Sequence, residues 1–105
     1  VPPSPPIPIA ATFNLTTFLL DVTFDRPLTP QITAAINWTA IASFFRWGAP
    51  LPGAALGNHV TITLIKGPGA PFPDSVTYAA APADVLSSVG VPAARFDDFP
   101  LTVIP

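Results

Sequence analysis

His59 is the one histidine of the chain and there is no cysteine. Catalytic or metal chemistry would therefore have to be assembled from His59, the aspartates and the hydroxyl side chains. A nucleophilic triad needs the imidazole between a serine and an aspartate, with the nucleophile on a sharp glycine-flanked turn. His59 instead sits in Asn58-His59-Val60-Thr61, the opening of an alternating strand with no such elbow. One histidine without cysteine makes zinc only if carboxylates complete the shell. Asp97-Asp98, with Asp84 and Asp74 upstream, offer the hard oxygens that calcium prefers, yet no Asp-x-Asp-x-Asp-Gly loop arranges them. The expectation is no catalytic group, no metal and no cofactor, with these aspartates bonding local amides in turns. Asp21 is expected to face Arg26 or Arg46 as an exposed pair worth little.

Aromatic side chains are the remaining candidates. Trp38, Phe44, Phe45 and Trp47 could form a stacking platform for a sugar, but aromatics in strands are usually core. Phe44, Phe45 and Trp47 cannot all share one face, so at least one is expected to point outward as an interface anchor. The triplets Asn14-Leu15-Thr16 and Asn37-Trp38-Thr39 match the glycosylation pattern, which a threonine-rich β chain generates by chance.

The elements that position these groups read as strands. In Phe18 to Phe24, residues Phe18, Leu20, Val22 and Phe24 fall on one side, with Leu19, Asp21 and Thr23 on the other; a period of two makes a half-buried strand. Asp25-Arg26-Pro27 ends it, because proline lacks the ladder donor. Thr12 to Thr16 repeats the alternation with Phe13 and Leu15 inward. Asn58 to Ile65 repeats it with Val60, Ile62 and Leu64 inward, and Ser75 to Ala79 with Val76 and Tyr78 aligned. Ile36, Trp38 and Ala40 are expected inward, and Ser43 to Trp47 makes a further strand. Helical turns are expected in Leu28 to Ala35, begun by Thr29-Pro30, and in Asp84 to Ser88. Gly48 to Gly57 and Lys66 to Asp74 read as loops. Leu101 to Ile104 is a final edge strand between Pro100 and Pro105.

Composition bounds the rest. The chain has 105 residues, half of them hydrophobic and only 10% charged, with formal net charge −2 and mean hydropathy +0.54. A typical globular chain carries about 25% charged residues. Ten charged side chains cover little of the roughly 5,600 Å² that a fold of this mass presents, so some apolar surface is expected to be buried against neighbours. No basic stripe invites nucleic acid, and no apolar run reaches the roughly 18 residues that cross a bilayer. Val1 in place of an initiator methionine reads as a processed or trimmed chain.

Six or seven short strands separated by proline- and glycine-rich loops predict an all-β protein, a single antiparallel immunoglobulin-like β-sandwich over residues 11–105. Residues 1–10, which hold five prolines before Ile9, predict an extended arm. The candidate interface residues are Pro5, Pro6, Ile7 and Ile9 of that arm, with Phe45 and Trp47 of the sandwich.

Thr17 to Leu28, Asn37-Trp38-Thr39, Asn58 to Leu64, Val76-Thr77-Tyr78 and the ending Asp84 to Thr102 fall in the order used by bacterial immunoglobulin-like surface repeats. The chain resembles most the repeats of the cyanobacterial swimming-motility surface protein, and related single modules occur in phage virion proteins. Val91-Pro92 stands where those repeats often carry Asn-Ala, and their acidic density is missing. The resemblance implies the sandwich fold over about residues 12 to 104.

The expected function is non-enzymatic and structural. It is a phage virion component, either capsid decoration or tail-associated, that contacts itself or other structural proteins as a homo-oligomer or on a larger particle. The alternatives are an adhesive or spacer module of a bacterial cell surface and a carbohydrate-binding module.

Overall fold

The alternation of large apolar residues builds the centre of the larger sheet. In the computed structural model, which describes residues 5–14, 16–34, 37–42, 45–48, 53–64, 73–80 and 83–104 (the side chains of 42 and 45–48 excepted), strand β2 spans Leu19–Phe24 and buries Leu20, Val22 and Phe24 completely. It is flanked antiparallel by β1 (Pro8–Asn14) and β7 (His59–Thr63). Phe13, Val60 and Ile62 from those neighbours are equally buried. The other strands are β3 (Gln31–Thr33), β4 (Trp38–Ala42), β5 (Phe45–Gly48), β6 (Gly53–Leu56), β8 (Ser75–Tyr78), β9 (Phe96–Pro100) and β10 (Thr102–Ile104).

The strands form a six-stranded sheet, β10-β1-β2-β7-β6-β3, and a four-stranded sheet, β5-β4-β8-β9. One apolar cluster joins them: Trp38, Ala40, Val76 and Tyr78 of the smaller sheet meet Phe13, Leu20, Val22, Phe24, Val60 and Ile62 of the larger. Phe96 bridges the layers, its ring 6.4 Å from that of Phe24 and 6.0 Å from that of Trp38. Each large side chain fully buried here contributes roughly 1.5–3 kcal/mol relative to exposure.

The all-β expectation stands, with corrections of detail. Ten strands lie among the described residues, more than six or seven, because the added strands are short and lack strong alternation. The segment 48–57 is not one loop: β5 ends in it at Gly48 and β6 begins at Gly53. The helical turns expected in Leu28 to Ala35 and in Asp84 to Ser88 are replaced by β3 and by bridges from Leu28 to Ser87 and from Leu86 to Pro92. The sheets are not wholly antiparallel, since β1 and β10 pair in parallel. Phe18 lies just before β2 in the left-handed region, φ 57, so it leaves the alternation, although its ring still stacks on Phe13 at 6.2 Å. Leu15, Ile36, Ser43, Phe44, Ile65 and residues 66–72 lie outside the described residues.

Local chemistry explains the tight connections. No glycine occurs between β1 and β2; instead the Asn14 side-chain oxygen accepts the amides of Thr16 (2.8 Å) and Thr17 (3.0 Å). The backbone oxygen of Asn14 accepts that of Phe18 at 2.9 Å. An asparagine that mimics a turn in this way substitutes for glycine. Gly57-Asn58 joins β6 to β7 as a two-residue hairpin loop with Gly57 at φ 63, the conformation that such turns need at their first position.

Strand β1 begins at Pro8, inside the expected arm, and the chain before it is tied down as well. Ile7 donates its amide to Asp25 Oδ1 (3.0 Å), and Asp25 returns its own amide to the Ile7 oxygen (2.9 Å). A bulge lies between Pro8 and Ala10, leaving Ile9 as the extra residue.

Candidate interaction surface

Register places the ionisable groups of the larger sheet together. Thr23 faces His59, and Asp21 faces Thr61 one row away. His59 Nδ1 lies 3.2 Å from Asp21 Oδ1 and 3.1 Å from Thr23 Oγ1. Hydroxyl and carboxylate thus meet the same ring nitrogen, whereas a triad places them on opposite nitrogens. The His59–Asp21 contact is partly exposed, and pairs of that kind contribute little.

The arginine expected beside Asp21 is elsewhere. Arg26 forks onto its neighbour Asp25, with Nε and Nη2 each 2.9 Å from a carboxylate oxygen. That guanidinium, helped by the Ile7 amide, lowers the Asp25 pKa to about 2, and Asp25 in turn raises that of Arg26. The side chain of Arg46 lies outside the described residues. Asp97 pairs with Arg95 at 3.2 Å. No cluster of three or more metal-ligating residues occurs among the described residues.

Asp84 carries a polar network that the sequence reading missed. Its carboxylate accepts the Thr33 hydroxyl and the Ala34 amide, each at 2.6 Å, and the Tyr78 hydroxyl at 3.3 Å. Thr33 accepts the Trp38 indole N–H at 2.8 Å. The Tyr78 oxygen accepts the amides of Asp84 (3.0 Å) and Val85 (3.1 Å), and Gln31 donates its side-chain amide to the Asp84 backbone oxygen. Burial pushes the Tyr78 phenol up from its ordinary pKa. This clasp joins β3, β4 and β8 to the crossing segment around residues 84–93, so Asp84 is engaged by protein donors.

Trp38 is 1% exposed and cannot stack on a sugar. Asn37 is also 1% exposed, so in the folded chain it has no room for a glycan.

The outer face of the larger sheet is different in kind. One row, Thr102–Thr12–Asp21–Thr61–Ala54–Ile32, crosses all six strands. The next runs Ala10–Thr23–His59–Leu56. The only ionisable members, Asp21 and His59, contact each other, and the rest are threonine, alanine, isoleucine and leucine. Ile32 and Leu56 are each 71% exposed. Of the arm residues expected at an interface, Ile7 (52%) and Ile9 (59%) are exposed. Pro5 is exposed too, but Pro6 is buried. Phe45 and Trp47 belong to β5, and their side chains lie outside the described residues. Among the described residues, Val89, Val103, Ile104 and Leu19 are also exposed apolar side chains.

No pocket is present among the described residues, and none of their helices is long and apolar enough to cross a membrane. Comparison with protein-family models, curated proteins and solved structures finds no match.

Proposed function

We propose that the chain is an immunoglobulin-like β-sandwich acting as a non-enzymatic structural subunit through protein–protein contacts, as a phage virion component of the capsid-decoration or tail-associated kind. The observation that carries this reading is the outer face of the larger sheet. Its two ionisable groups contact each other, and Ile32 and Leu56 project from its β3–β6 side. A threonine and aliphatic surface with so little charge costs little to dehydrate and gains by being covered.

Strand order supports the immunoglobulin-like assignment. β1-β2-β7-β6 against β5-β4-β8-β9 matches the ABED and C′CFG sheets of that fold, and a buried tryptophan sits on the strand equivalent to C. The packing partner differs, because Trp38 meets Tyr78 at 4.8 Å and Phe96 where antibody domains place a disulfide. Tyr78 also bonds backbone downstream of itself, where the tyrosine corner bonds upstream.

The test is to place charge on the face without touching the core. Ile32→Lys with Leu56→Lys is expected to keep the native circular dichroism and thermal melt. The same variant is expected to lower the average mass measured by light scattering at high concentration. A native chain that stays monomeric at every concentration would favour the spacer-module reading.

A further inference from the structure

A sheet edge presents unpaired backbone groups to any passing strand, and proteins guard it with charge, proline or a covering segment. The edges of this fold are guarded unequally. Beside β3, the crossing segment is fastened by Thr29 N–H to the Leu86 oxygen (2.8 Å), by the Leu28–Ser87 bridge and by Gln31 on the Asp84 backbone. β9 contains Asp97, Asp98 and Pro100, and β5 contains Arg46. β10 is Thr102-Val103-Ile104, with no charge and no proline. Its three residues are all exposed, and β1 is its sole strand neighbour among the described residues. β10 is only three residues long and follows Pro100, the last residue of β9, so pairing is confined to a short stretch.

We infer that β10 is a self-association edge, pairing antiparallel with β10 of a second copy about a two-fold axis at Val103. The larger sheets of two copies then run on as one. Val103 faces its counterpart and Thr102 faces Ile104 of the other copy, so the contact is isologous. A second copy fits because the residues beside the edge, Thr12 and Asn14 of β1 opposite Thr102 and Ile104, are uncharged, so the two-fold brings no like charges together. Asp21 is one strand further in, and a charged foreign strand would find no counter-charge at the edge. This inference rests on the proposed assembly role and names its partner and the edge used. A ladder this short holds weakly alone, so the contact forms at high local concentration.

The absence of cysteine makes a clean test possible. Val103→Cys sets one thiol on each side of the axis, at a separation of about 4.5–5.5 Å between Cα atoms in an antiparallel pair, which a disulfide spans. Ser88→Cys, exposed in the crossing segment outside both sheets, is the control. Under oxidation at rising protein concentration, Val103→Cys is expected to form disulfide-linked dimer at least about tenfold faster than the control. Val103→Lys in the cysteine-free chain is expected to reduce self-association. Self-association of the native chain that Val103→Lys leaves unchanged would overturn the edge and leave the assembly role standing. Equal cross-linking of both cysteine variants, with no association of the native chain, would overturn both.

Discussion

Replacing Asp84 by alanine tests whether the buried clasp holds the crossing segment to the sheets. The substitution removes the acceptor for the Thr33 hydroxyl and the Ala34 amide, both at 2.6 Å, and for the longer bond from Tyr78. Thr33 is fully buried, so water cannot readily replace the lost partner. A hydrogen bond to a charged group contributes about 1.5–3 kcal/mol net. Asp84 is only part-buried, and its bond from Tyr78 is long; the two short bonds then give a loss of about 3 kcal/mol. With an unfolding entropy of roughly 0.22 kcal/mol/K for this length, Tm falls by about 14 °C. The assay is urea unfolding followed by tryptophan fluorescence, repeated with Thr33→Val and the double variant. The cycle is expected to show coupling of at least about 0.5 kcal/mol. A loss under about 0.5 kcal/mol, the range of ordinary surface changes, would refute the reasoning, as would strict additivity.

Three further outcomes follow from particular contacts. Gly53→Ala puts a Cβ at 2.7 Å from Ile62 Cγ1 and 2.9 Å from the Thr61 oxygen, and overpacking of that kind costs about 1–3 kcal/mol; an unchanged thermal melt would contradict the close approach of β6 to β7. Asp25 has a depressed pKa, so its contribution is present above the ordinary carboxylate value of 3.8 and is lost as pH falls through about 2. The Ile7 amide shift followed by NMR should titrate with a midpoint near 2, and a midpoint at 3.8 would remove the Asp25 clamp. Tyr78 has a raised pKa, caused first by burial, so its contribution is present below about pH 10 and is lost as pH rises through the folded value. Urea midpoints measured across alkaline pH should fall more steeply for the native chain than for Tyr78→Phe, and parallel curves would contradict this.

Alternation made β2, β7 and β8 legible, because Leu20, Val22, Phe24, Val60, Ile62, Val76 and Tyr78 are buried on the side their period assigns. The edge position of the last strand was legible too. β6 was not: Gly53-Ala54-Ala55-Leu56 has loop composition, and it becomes a strand because small residues let it lie close to Ile62 and Thr33. β3 was hidden behind Thr29-Pro30, a good helix start, since its strand state depends on pairing with β6 and on the clasp. Those are contacts between distant parts of the chain, which local propensity does not encode. The Asp84 network was invisible for the same reason, its partners lying 6 to 53 residues away. At the candidate surface, Ile7 and Ile9 are exposed, whereas Pro6 is buried. The rows of threonine and alanine emerged only once the register was known.

The claim that this surface exists to be covered is tested most directly by sedimentation equilibrium of the native chain from about 1 μM to about 1 mM, the range of weak protein contacts. An average mass that climbs above the 10.9 kDa monomer as concentration rises, and that Ile32→Lys with Leu56→Lys holds down, is the expected result. A native chain that remains at 10.9 kDa throughout would contradict it.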